Sequence, residues 1–198
     1  LNGHRINQAL YQLFLGVWFG AMVMLVLAAT AAFGFVRDPQ TTLLVQVEGF
    51  GAPLTGSAAR GWVAGGIVGA ALRRLEILQL ICFAGVAAAT VLQCTLFRAR
   101  LAARPASKRN GLRIFLLVVP AAIVLFNLAV VAPGIDANRS MKYDPAAEAS
   151  RAQAADEAFA FYHGLSTKTY GVSTLMLLGA VVLGPWCFHR EEGAAGRG

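Results

Sequence analysis

Residues 77–97 read "ILQLICFAGVAAATVLQCTLF" and residues 98–113 read "RARLAARPASKRNGLR". The first stretch is uncharged and about as long as the roughly 20 apolar residues that cross a hydrocarbon core. The second holds Arg98, Arg100, Arg104, Lys108, Arg109 and Arg113 and no acid. A buried helix running into solvent would look similar, so the rest of the chain must decide. Of its 198 residues, 57% are hydrophobic and 14% charged, whereas a soluble domain has about 45–50% apolar and about 25% charged residues. The surplus apolar surface needs lipid to cover it, and the chain reads as an integral membrane protein.

Working outward, residues 10–36, 114–132 and 170–188 repeat the pattern of 77–97. Four such stretches predict a single integral membrane domain: an all-α, up-and-down, four-span transmembrane bundle. The net charge of +7 concentrates in residues 98–113. That placement matches a short cytoplasmic loop under the positive-inside rule, so the basic balance speaks for topology and not for nucleic acid. The six cations of that loop are candidates for contact with anionic lipid head groups. The long connection 133–168 mixes acids with bases and is expected on the outer side. Both termini then fall on the cytoplasmic side, as in a bacterial inner-membrane protein. The "AATAA" at residues 28–32 resembles a signal-peptidase site, but the apolar run before it exceeds the usual 7–15 residues, so no cleavage is expected.

Between the first two spans lies "RDPQTTLLVQVEGFGAPLTGSAARGWVAGGIVGAALRRLEI", residues 37–77. Asp38-Pro39 should stop the first helix, because proline disfavours helical geometry in the residue before it. Gly61, Gly65 and Gly69 recur every four residues, as do Gly16 and Gly20 in span one. Such stripes let another backbone approach closely, and both are expected to pack helix against helix. Residues 62–72 are too few to span and predict a short interfacial helix before span two. In span three, Pro120 should bend the helix and Pro133 should end it. Asp144-Pro145 looks like an N-cap followed by proline at the first helical position, with Glu148 in the first turn. A helix starting there would run on into span four.

Motifs for nucleotide binding, paired-cysteine metal ligation or a nucleophile elbow are not found in the sequence, and no catalytic residue, metal or cofactor is expected. Cys82, Cys94 and Cys187 read as packed thiols. The polar residues of interest gather where spans meet the outer side: Glu76 and Gln79 at the start of span two, Asn127 late in span three, His163 and Ser166 before span four. Spacings of three put each pair on one helix face. Lipid offers no hydrogen-bond partner, so three readings follow. Asn127, His163 and Glu76 form a network that locks the helices, or they line an outward vestibule, rimmed by Arg73 and Arg74, where His163 takes up a proton or meets a substrate, or each makes its own solvated contact with head groups.

Four stretches carry a family resemblance: "FLGVWFGAMVM" in span one, "VAGGIVGAALRRLEIL" leading into span two, "FNLAVVAPGIDANR" leaving span three, and "FAFYHGLS" before span four. They resemble the transmembrane protein 205-like family of small four-helix membrane proteins. The last places Phe159, His163 and Ser166 in the register of that family's F-x-x-x-H-x-x-S pattern. Where the family often has asparagine four residues after the serine, this chain has Tyr170. Some eukaryotic members are associated with platinum-drug resistance, and the resemblance implies transport or trafficking by analogy.

Three functions remain, in order of expectation. The first is a non-enzymatic structural or accessory subunit that packs against partner subunits in a larger membrane complex. The second is a small transporter or proton-linked sensor using the polar cluster. The third is a membrane enzyme acting on lipid or quinone.

Overall fold

The computed structural model describes residues 2–37, 42–96 and 108–188. Helix α1 covers Asn2–Arg37; strands β1, Leu44–Val45, and β2, Leu54–Thr55, form a small hairpin; α2 covers Gly56–Leu96. Helix α3, Lys108–Phe126, runs through a π-helical turn at Asn127–Val131 into α4, Ala132–Tyr143. Helix α5 covers Ala149–Phe188. Among the described residues, four helical tracts are long and apolar enough to cross a membrane: Arg5–Gly34, Gly56–Gln93, Gly111–Tyr143 and Ala149–Leu183. The expected all-α, four-span bundle is therefore the fold.

The distribution of side chains explains why lipid is needed. Leu13, Met24, Ile77, Ile81, Phe115, Leu175 and many other large apolar residues lie exposed, while Asn7, Glu76, Gln79, Gln93, Arg113, Asn127, Ser166 and Ser173 are buried. Water would penalise the first set and hydrocarbon the second if it faced outward. Helices suit such a medium because each satisfies its own backbone hydrogen bonds.

The chain divides into two compact units. In one, made of Leu1–Met22, Ile77–Val124 and Gly171–Gly198, α1 buries Tyr11, Leu15, Trp18 and Met22. Their three- and four-residue spacing forms a single stripe. Trp18 meets Phe83 edge-on at 6.1 Å between ring centroids and donates its indole N–H to Gln79 Oε1 at 3.1 Å. The Phe14 ring lies so close to Gly85 that a Cβ there would sit 2.6 Å from it, which explains a glycine in mid-helix despite its propensity cost. Asn7 ties α1 to α2 by donating to the Ala89 carbonyl at 2.9 Å.

The other unit comprises Val23–Glu76 and Leu125–Tyr170. Its hairpin pairs Leu44 with Thr55 and Val45 with Leu54. The turn at residues 47–50 closes with Phe50 N–H donating to the Val47 carbonyl at 3.1 Å. Gly49 takes φ +86° at the third turn position, a conformation L-residues avoid. Trp62 stacks edge-on with Phe50 at 5.4 Å and Tyr143 at 6.0 Å. The Arg139 guanidinium lies 4.4 Å over its ring and donates to its carbonyl.

Several boundaries differ from those expected. Residues 62–72 are not a separate interfacial helix: α2 runs unbroken for 41 residues, about 60 Å at 1.5 Å per residue, and Arg73 and Arg74 lie within it. Span three does not end at Pro133. That proline has no N–H to give the turn behind it and its ring crowds the carbonyl four residues back. The helix widens there, with Ala132 N–H bonding to the Asn127 carbonyl, and continues to Tyr143. Asp144 does not cap α5; its Oδ1 accepts from Ala146 N–H at 2.9 Å in a tight turn, and the helix begins four residues after Pro145, at Ala149. From there it does run on through span four.

The glycine stripes also behave differently from expectation. Gly61 and Gly65 are covered by side chains, those of Tyr143 and Arg139, and not by a neighbouring backbone. Gly16, Gly20 and Gly69 have open space where a Cβ would stand.

Candidate functional site

Glu76 is 3% exposed and Asn127 1% exposed, and both belong to the second unit. The Tyr170 hydroxyl donates to Glu76 Oε1 at 3.0 Å. Thr169 Oγ1 lies 3.1 Å from Asn127 Oδ1 and 2.9 Å from the Ser166 carbonyl. A hydroxyl has one proton, so Thr169 cannot donate to both. Glu76 Oε2 is buried without a hydrogen-bond partner, and among the described residues no ion pair involves Glu76. A buried carboxylate oxygen in that condition is costly.

Glu76, Asn127, Ser166 and Tyr170 line a cavity of about 50 Å³, room for one or two water molecules at about 30 Å³ each. Arg73 and Asp136 border the same cavity and pair at 3.2 Å, with side chains 61% and 55% exposed. The buried carboxylate thus has polar, half-open surroundings on one side. Glu76, Asn127 and Ser166 each fall close to the middle of their apolar tracts, Gly56–Gln93, Gly111–Tyr143 and Ala149–Leu183. The π-helical turn begins at Asn127 itself; such turns recur at functional positions in helices.

Of the residues expected in this cluster, Glu76, Asn127 and Ser166 come together. His163 does not. It lies two helical turns from Tyr170, about 10 Å along the axis, exposed, with its ring stacked on Phe159 at 5.9 Å. Gln79 belongs to the other unit and holds Trp18. The expected network of Asn127, His163 and Glu76 is replaced by Glu76 with Tyr170 and Asn127 with Thr169. Sequence reasoning missed Thr169 and Tyr170, although they follow Ser166 by three and four residues and so share its helix face.

Of the six candidate head-group cations, only the Arg113 side chain lies among the described residues. Arg98, Arg100 and Arg104 lie outside the described residues, and so do the side chains of Lys108 and Arg109. Arg113 does not face head groups: it is 8% exposed, donates from Nε to the Tyr11 hydroxyl at 3.0 Å and from Nη2 to Gln93 Oε1 at 3.1 Å. Its guanidinium lies 4.2 Å from the Tyr11 ring centroid.

A larger open groove of about 520 Å³ runs between the hairpin turn and the α4–α5 connection. Two of its acids are engaged locally, Asp144 with Ala146 N–H and Glu148 with Ser150 and Arg151. No cluster of three or more metal-ligating side chains occurs among the described residues.

Fold and site together define an integral membrane protein with a buried, ionisable polar cluster. Comparison of the chain with protein-family models, curated proteins and solved structures finds no match.

Proposed function

We propose that this chain is a non-enzymatic membrane protein that takes up a small cation from water at Glu76, as a compact transporter or sensor. The observation that carries this reading is the Glu76 oxygen buried without a partner, on a residue that lines a small cavity with Asn127, Ser166 and Tyr170. An ionisable group kept inside a membrane-spanning helix bundle usually marks an ion pathway or relay, and ion sites of transporters lie near the bilayer midplane. In this reading the arginine-rich residues 98–113 and both termini are cytoplasmic, in a bacterial inner membrane. The resemblance to the transmembrane protein 205-like family is compatible with it, with Tyr170, in place of the asparagine often found there, supplying the hydroxyl to Glu76.

Ligand that binds only the folded state stabilises it, by about 2.7 kcal/mol at 100 times its dissociation constant. The melting temperature of the purified protein in lipid nanodiscs should therefore depend on pH or on the cation supplied, and that dependence should vanish in Glu76→Gln. Identical responses in the two proteins would remove the reading.

The accessory-subunit reading keeps one specific support. Gly16 and Gly20 face open space, flanked by exposed Leu13 and Val17, as on a helix face awaiting another helix. A stoichiometric companion that co-purifies after mild solubilisation and is released by Gly16→Ile, without a change in melting temperature, would favour it. Enzymatic action on a lipid or quinone at Glu76 has less support: ligand pockets usually measure about 300–1,000 Å³, and the Glu76 cavity is far smaller.

A further inference from the structure

We infer that the cation taken up at Glu76 is the proton, carried on Oε2 and delivered by water past the Arg73–Asp136 pair. The inference rests on the proposed uptake at Glu76 and names its ligand. Glu76 Oε1 already accepts the Tyr170 hydroxyl, so Oε2 is the oxygen left to bind. The charged and titratable groups around it are few. Arg73, on its own helix, is paired to Asp136 of α4; Tyr170 of α5 donates to it; Asn127 and Ser166 are neutral. The α1 segment of this unit has no ionisable residue before Arg37, and Arg139 of α4 is turned onto Trp62.

No protein cation therefore neutralises Glu76 by direct pairing among the described residues. A carboxylate this buried is relieved most simply by a proton, since the neutral acid needs only an acceptor for its O–H. Ser166 borders the same cavity as such an acceptor, and the cavity has room for a water. The step balances as hydronium plus Glu76 carboxylate giving Glu76 carboxylic acid plus water. The Tyr170 O–H stays on Oε1 throughout. A metal ion would instead need several oxygen ligands at once, and the space of about 50 Å³ leaves little room for the waters that would complete its shell.

The test is infrared difference spectroscopy, wild type minus Glu76→Gln, on full-length protein in lipid nanodiscs between about pH 4 and 9, in sodium chloride and in choline chloride. The expected result is one carbonyl band of a neutral carboxylic acid, absent from the variant, lost reversibly as pH rises and unchanged by the salt exchange. Should no acid band occur at any pH while sodium raises the melting temperature, the proton inference is overturned and cation uptake at Glu76 stands. With neither band nor salt response, both fall. If Glu76→Gln does not fold, Tyr170→Phe serves instead: loss of the donor to Oε1 should move the band to higher frequency, and an unmoved band would overturn the placement on Glu76.

Discussion

Trp18→Ala should be the most damaging single substitution in the unit formed by residues 1–22, 77–124 and 171–198. Trp18 has no exposed surface, and truncating a buried aromatic to alanine costs about 3–5 kcal/mol, most of it lost packing around the void. The loss of its contact with Phe83 belongs to that figure. A second cost is distinct: Gln79 Oε1 loses its donor, and a stranded buried acceptor costs about 1–3 kcal/mol. Trp18→Phe separates the two, since it keeps most of the ring and removes only the indole N–H. Reversible unfolding in mixed detergent micelles should rank wild type, Trp18→Phe and Trp18→Ala in falling stability. If the two variants lose the same amount, the hydrogen bond and not the packing holds this region together.

Arg113→Ala should follow closely. The guanidinium serves the Tyr11 hydroxyl, Gln93 Oε1 and the Tyr11 ring face. Hydrogen bonds to a charged group contribute about 1.5–3 kcal/mol each, and two buried acceptors would be left without this donor. Had Arg113 worked as a surface cation for anionic lipid, its removal would cost on the order of 1 kcal/mol of membrane attraction and leave the fold alone. The two roles give different readouts. Loss of unfolding stability without any change in affinity for anionic vesicles supports the buried role, and the opposite pattern returns Arg113 to the head-group set. Arg113→Lys should recover little, because an ammonium cannot reproduce the planar fork that reaches Tyr11 and Gln93 at once.

Both substitutions involve residues whose roles were only partly readable in the chain. Trp18 falls on the helical stripe with Tyr11, Leu15 and Met22, but Leu10, Leu13, Val17 and Met24 on other faces are as apolar and lie exposed, so spacing alone did not show which face is buried. Its partner Gln79 was not legible either, because three-residue spacing from Glu76 places the two on one face without saying that one residue turns to Trp18 and the other to Tyr170. Arg113 closes a run of cations that otherwise looks like a loop. Only the packing of α3 against Tyr11 and Gln93 distinguishes the last of them from the rest.

The candidate site divides in the same way. Glu76, Asn127 and Ser166 stand out in sequence because polar groups are rare in such apolar tracts. His163 stands out too, yet two further turns of helix carry it away from the carboxylate. Tyr170 was hidden because it reads as the first residue of an apolar span and not as part of the polar cluster.

What the amino-acid sequence by itself determined is the number of membrane-spanning helices, their apolar lengths and the medium they need. These follow from the transfer of side chains and peptide groups between water and hydrocarbon, a property each segment has alone. Only the tertiary structure decided that α2 runs unbroken, that Pro133 widens its helix without ending it, and that Tyr170 meets Glu76. Those outcomes depend on which helix face and which depth are brought opposite one another, and no single segment contains that information.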